Sequence, residues 1–238
     1  MKITEILDKY SVAFAVVVAG AMITGAVIFI GIRSEKSGEV AIGPNDEMLA
    51  EGEIGELYKN VQPVTDADHI FGNKDAKVKI INFSDMQCPY CIVFDETMKQ
   101  IVADYDGQVA WVFRHSPLDF HENAFPAAEA SECAAEIGGN DKFWAFLGKV
   151  TEKLETSSGS VNMVDVATSA GINKTAFENC YGASKYDEKI STQMSDAFDS
   201  GMEGTPYGII VVDGNPVGII DGAYPLEDVK GMIDQYLK

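Results

Sequence analysis

Two cysteines set two residues apart, in Cys88-Pro89-Tyr90-Cys91, carry the strongest chemical signal in this chain. Thiol–disulfide exchange needs one thiolate to attack and a second thiol close enough to resolve the mixed disulfide, and a CxxC pair within one helical turn offers both. The flanking residues predict that turn. Lys77–Phe83 (KVKIINF) is a short β-branched run suited to a buried strand, and beyond Cys88 apolar residues recur at Phe94, Met98, Ile101, Val102 and Tyr105 with helical spacing. Cys88 is therefore expected at a helix N-terminus, where free backbone N–H groups and the dipole favour a thiolate. Pro89 suits the first helical position, since it gives up an N–H that would be unpaired there. Cys91 falls one turn further in, within reach of the Cys88 sulfur and less exposed. Tyr90 holds an intervening position expected to tune the redox poise. The blander readings of such a pair are a structural disulfide or half a metal site; a strand–helix junction favours redox chemistry.

A second signal lies far along the chain. Gly204-Thr205-Pro206 directly precedes the strand-like run Tyr207–Val212. A proline there can adopt the cis form and leave the Thr205 N–H and C=O free to pair with a client chain. Alone, Thr-Pro is more often a simple turn.

The elements that must hold these residues follow from pattern. Asp106-Gly107 stops the first helix, and Val109–Phe113 (VAWVF) reads as a second strand, giving a βαβ unit with a parallel pair. Residues 123–202 read as helical: an alanine-rich segment, Asp141–Leu154, Asn162–Ala170 and Lys185–Phe198. The last places Ile190, Met194, Ala197 and Phe198 on one face behind a Ser184 cap. Tyr207–Val212 and Pro216–Ile220 flank Asp213-Gly214, a hairpin signal, and Leu226, Val229, Ile233 and Tyr236/Leu237 mark a closing amphipathic helix.

Upstream, Ser11–Ile32 carries no charged residue. A helix of that length spans about 33 Å, enough to cross a bilayer. A cleaved signal peptide would have an apolar run of about 7–15 residues, and this one continues well past the small-residue site Ala19-Gly20-Ala21. An uncleaved signal anchor is expected, with residues 1–10 cytoplasmic. Residues 33–62 are rich in Gly, Glu, Asp, Ser and Asn and read as an acidic flexible tether, with a short helix around Met48–Tyr58. The globular domain is expected to begin near Pro63.

Composition narrows the function further. The 238 residues carry a formal net charge of −19, with a pI near 4.4. No basic stripe is available to neutralise phosphates, which excludes nucleic acid as a partner. Such a surface favours basic or neutral clients. The four cysteines, Cys88, Cys91, Cys133 and Cys180, include no second CxxC, and no Cys/His cluster stands out along the chain; no metal is expected.

Asn82-Phe83-Ser84-Asp85-Met86-Gln87-Cys88-Pro89-Tyr90-Cys91, Phe113-Arg114-His115 with Pro117-Leu118, Glu132-Cys133-Ala134-Ala135, Lys142-Phe143-Trp144 and Gly204-Thr205-Pro206 together resemble the DsbA-like branch of the thioredoxin superfamily. The likeness runs from about residue 63 to the C-terminus. It implies an α/β thioredoxin fold (βαβ…ββα) with a helical insertion at about 123–202. Relatives oxidise, reduce or isomerise disulfides in exported proteins. By the resemblance Cys88 is the nucleophile, Cys91 the resolving thiol and Pro206 a cis-proline facing them, while Thr205, Pro89 and Tyr90 bind clients or tune the pair. The Cys88–Cys91 disulfide is then the only redox group required. The partners implied are exported proteins with cysteine thiols and a membrane redox protein, either a quinone-linked oxidase or a reductase. Some relatives carry a second, structural disulfide in the insertion, which Cys133 and Cys180 would supply; two buried free thiols are the alternative. One position departs from the family. Relatives often bury an acid six residues before the first cysteine, where this chain has Asn82, which cannot take a proton at neutral pH; Asp85 is the nearest carboxylate in sequence. His115 and His121 follow the second strand and are read mainly as packing or surface residues, and His69 receives no role.

Three further readings stay open from sequence: a reductase or isomerase, a non-enzymatic client-binding chaperone, and a soft-metal carrier using CxxC as a two-coordinate site.

Overall fold

The β-branched run near residue 80 lies at the centre of the sheet, as Val78–Ser84 (β2), and every element that positions the cysteines is built against it. The computed structural model describes residues 56–157 and 159–237. The apolar run Ser11–Ile32 and the rest of residues 1–55 lie outside the described residues. Among those described, no helix is long and apolar enough to cross a membrane.

Five strands run in the order β1-β3-β2-β4-β5. Val109–His115 (β3) pairs in parallel with β2, Tyr207–Val212 (β4) pairs antiparallel on the other side, and Asn215–Ile220 (β5) forms one edge. His69–Gly72 (β1) forms the other edge, antiparallel to β3. This strand was not predicted, because four residues are too few to show an alternation. The hairpin was: Asp213 and Gly214 both adopt positive φ (48° and 81°), the backbone that a tight two-residue turn demands.

Pro89–Asp104 (α1) links β2 to β3 and buries Phe94, Met98 and Ile101 against Val78, Ile80, Trp111 and Phe113. Leu226–Asp234 (α6) joins the same core through Val229 and Ile233. The opposite sheet face, with Ile81, Phe83, Val112 and Ile209, packs on Ala197 and Met202.

Between β3 and β4 runs the helical insertion: Ala124–Thr156 (α2), Met163–Ser169 (α3), Lys174–Cys180 (α4) and Asp187–Asp199 (α5). The alanine-rich segment and Asp141–Leu154 are two halves of α2, broken at Gly138-Gly139, where Gly139 takes φ +73°. Asn162 caps α3 by accepting from the Val164 and Asp165 N–H groups. The Ser184 cap is corrected: Ser184 sits at φ 51°, and α5 starts after Tyr186. The short helix α4 lies inside the stretch read as helical, which gave it no bounds of its own. Its last residue, Cys180, is bonded to Cys133 of α2, with a Cα–Cα distance of 5.8 Å across a sequence separation of 47. Closing a loop of that length contributes about 3–4 kcal/mol by restricting the unfolded chain.

The domain starts earlier than Pro63. Residues 57–62, assigned to the tether from composition, pack on the domain: Leu57–Asn60 forms a single 3-10 turn and Val61 is buried. Arg114, itself buried in β3, anchors the next residues of the chain. Its Nε and Nη2 donate to Asp68 at 2.9 and 3.2 Å, and Nη1 donates to Asp196 of α5 at 2.7 Å. Nη1 and Nη2 also donate to the carbonyls of Gln62 and Pro63 respectively. A tether assignment from polar composition could not foresee an arginine reaching back from the sheet.

Candidate active site

β2 ends at Ser84, and the chain turns through Asp85-Met86-Gln87 to place Cys88 as the N-cap of α1, with Pro89 in the first turn. The turn is held by one carboxylate. Asp85 Oδ1 accepts the Gln87 N–H at 2.7 Å, and Oδ2 accepts the Leu118 N–H at 2.9 Å and pairs with His121 Nδ1 at 2.7 Å. Asp85 therefore ties the loop after β3 to the cysteine turn, and its backbone N–H donates to Cys91 Sγ at 3.4 Å.

Both thiols are free in this structure, and they sit in different surroundings. Cys91 is fully buried, whereas Cys88 is 5% exposed and its sulfur lies 3.6 Å from the Thr205 carbonyl oxygen. The Thr205–Pro206 peptide is cis. Strand β4 begins at Tyr207, in register with Phe83, so the sheet itself brings the 204–206 loop to the cysteine turn. The hydrogen bond from the Cys91 thiol, with backbone N–H groups of Cys91 and Tyr90, brings the Cys88 thiol down to about 5 against the opposing effect of burial. Burial, and then the neighbouring Cys88, push Cys91 well up. One sulfur is a thiolate at neutral pH and the other keeps its proton.

A family model described as thioredoxin matches residues 64–235. The chain belongs to the thioredoxin family. Among solved thioredoxin-like structures it is similar to alpha-DsbA1 of Wolbachia pipientis, with a TM-score of 0.62 and 20% identity, covering 73% of this chain and 92% of that one. Oxidised BdbD of Bacillus subtilis gives a TM-score of 0.61 at 21% identity, covering 74% and 96%. The catalytic domain of Proteus mirabilis ScsC gives 0.59 at 21%, covering 73% and 90%. These likenesses show the fold. In sequence the chain is 32% identical over 142 residues to a protein of Salinispora tropica named Na(+)/H(+) antiporter NhaA 3, a match covering 58% of this chain and 20% of that protein. A Mycolicibacterium vanbaalenii protein named Na(+)/H(+) antiporter NhaA 1 is 29% identical over 153 residues, covering 63% and 24%. The chain thus spans about a quarter or less of the length of these curated relatives.

Within this thioredoxin fold, Cys88, Pro89, Tyr90, Cys91, Thr205 and Pro206 come together at one end of the sheet, while Cys133 and Cys180 pair in the insertion. Tyr90 points outward, 70% exposed. Asn82 is completely buried, with neither amide atom hydrogen-bonded. Sequence reasoning missed Asp95. It lies one helical turn beyond Cys91, is buried, has one carboxyl oxygen without a partner, and is pushed well up by burial. An acid four residues after Cys91, inside the stripe formed by Phe94, Met98 and Ile101, was the available signal.

The three histidines also gain partners. His69 Nε2 and His115 Nε2 each lie 2.9 Å from Glu132 Oε1, and Lys189 Nζ lies 2.8 Å from Glu132 Oε2. Burial opposes ionisation of Glu132, but the bonds from His115 and His69 overcome it and hold the carboxyl far below its usual range. Among the described residues this is a grouping whose ligand atoms could surround a metal ion, which linear spacing had not revealed. The Lys189 ammonium already supplies a cation to its carboxylate.

The two thiols should separate sharply by pH. Alkylation of the reduced protein with iodoacetamide is expected to reach half its plateau rate near pH 5, with mass mapping placing the label on Cys88. A midpoint near the roughly 8.5 of a free cysteine, or first labelling at Cys91, would reverse the assignment of roles.

Proposed function

We propose that this chain is an extracytoplasmic thiol–disulfide oxidoreductase that forms disulfides in exported proteins through Cys88 and Cys91. The observation that carries the proposal is the placement of the Cys88 sulfur at the head of α1, beside the buried Cys91 and 3.6 Å from the Thr205 carbonyl oxygen. In the oxidised enzyme a client thiolate attacks Cys88 Sγ; the client–Cys88 bond forms, the Cys88–Cys91 bond breaks, and Cys91 leaves as a thiolate. Its high proton affinity means that it then takes a proton. Asn82 cannot supply one, and Asp95, kept protonated by burial one turn away, is the group suited to pass it on. A second client thiolate attacks the client sulfur and expels Cys88. A thiol of low pKa is a good leaving group, so this step is fast.

The same acidity supports oxidation over reduction. A stabilised Cys88 thiolate favours the reduced enzyme, which makes the disulfide form a stronger oxidant. The Cys133–Cys180 disulfide suits an oxidising compartment. Ser11–Ile32 would anchor the chain with residues 63–238 outside the cytoplasm, and a quinone-linked membrane oxidase would restore the Cys88–Cys91 disulfide. Ion antiport is not proposed, because the match covers 20% of the first antiporter-named relative.

Equilibration of the Cys88/Cys91 pair in glutathione buffers, followed on a Cys133→Ala/Cys180→Ala background, tests the direction. A potential less negative than about −200 mV is expected, and one near −270 mV would mark a reductase.

A further inference from the structure

On the β4–β5 side of Thr205 a cavity of about 420 Å³ opens, lined by Tyr58, Tyr207, Ile219, Glu203 and Asp221 together with the 204–206 loop. Two exposed carboxylates stand over aromatic and aliphatic walls, and no lysine or arginine is among the lining residues. The opposite flank of Cys88 is different: Tyr90 and Val93 on α1 are 70% and 63% exposed and uncharged. Thr205 lines this cavity and its carbonyl oxygen lies 3.6 Å from the Cys88 sulfur, so the cavity adjoins the place where a client sulfur must arrive.

We propose that this cavity is a subsite for a basic side chain, arginine or lysine, one or two residues from the reacting cysteine of a client; the inference rests on the exchange activity proposed above. An extended chain rises about 3.3 Å per residue, so a neighbour of a cysteine held at Cys88 reaches past Thr205 into the cavity. A long aliphatic stem packs on Ile219 and Tyr207, while its charged head meets Glu203 and Asp221. The half-buried Tyr58 ring offers a face to a cation. An acidic client side chain would be repelled there. The α1 flank offers the uncharged Tyr90 and Val93 instead, so the preference is expected for one orientation of the client chain.

Short single-cysteine peptides with Arg, Gln or Glu beside the cysteine, on either side, test it against the disulfide form of the full chain. Each rate is divided by that of the same peptide with glutathione disulfide, which removes the effect of the neighbour on the peptide thiol itself. The Arg peptide of one orientation should react about tenfold faster than its Glu counterpart, and the ratio should fall as salt screens the carboxylates. In the Glu203→Gln/Asp221→Asn variant the ratio should shrink to within about twofold. Equal rates in the unaltered chain would overturn the subsite. So would a ratio unchanged in the variant, which would assign the preference to the overall charge of −19. If no peptide reacts, the exchange reading itself fails, and the subsite with it.

Discussion

Replacing Cys88 with serine is expected to abolish exchange with client proteins, a fall on the order of a thousandfold or more, since no other described sulfur can take its place. Cys91 is fully buried and keeps its proton, and Cys133 and Cys180 are bonded to each other. Cys91→Ser should behave differently. Its Cys88 thiolate still attacks a client disulfide, but no thiol remains to resolve the product, so a covalent adduct accumulates. Non-reducing electrophoresis reads the outcome: a band shift reversed by dithiothreitol in Cys91→Ser, and none in Cys88→Ser. Full activity of Cys88→Ser, or adducts formed equally by both variants, would move the nucleophile elsewhere.

The largest effect on stability is expected at Arg114. Arg114→Met keeps much of the aliphatic stem but strands the carboxylates of Asp68 and Asp196, whose side chains are 6% and 5% exposed, and leaves the Gln62 and Pro63 carbonyls without their donor. Removing one partner of a buried ion pair costs about 3–5 kcal/mol. For a domain of this size that lowers the melting temperature by about 6–20 °C. Burial already pushes the Asp196 carboxyl upward, so it takes up a proton early once the arginine is gone. The deficit should therefore narrow as pH falls. Calorimetry of the variant between about pH 4 and 7 checks both size and sign; a change under about 3 °C at neutral pH would show that the network adds little.

The parts of the fold that sequence reveals are those whose signal is local. The strand–CxxC–helix junction, the Asp213-Gly214 hairpin and the α6 stripe each depend on residues within one element. The misses are tertiary. β1 has four residues and is a strand because β3 offers an edge. Residues 57–62 look like linker because their partners, Arg114 and Asp196, lie more than fifty residues away. The same distinction governs the site. Cys88, Cys91 and Pro206 announce themselves by motif, whereas Asp95 matters because burial changes its protonation, and His69, His115 and Glu132 meet only across the folded sheet and α2.

The Arg114 anchorage has a mechanical consequence. Tension applied upstream of residue 57 would not reach α1 first. The load would pass through Tyr58 and Asn60, which meet the 204–206 loop and the Asp199 carbonyl, into Gln62, Pro63 and Asp68, then through the guanidinium into β3, with the Lys189–Ala67 contact and the β1 ladder sharing it. The cysteine turn hangs from β2, the next strand, and Asp85 braces it to the loop after β3. Pulling on the leading end would thus be felt first along the 199–206 segment, in the sheet's interior and at its outer edge, and at the Cys88–Cys91 turn only once the clamp itself gives way.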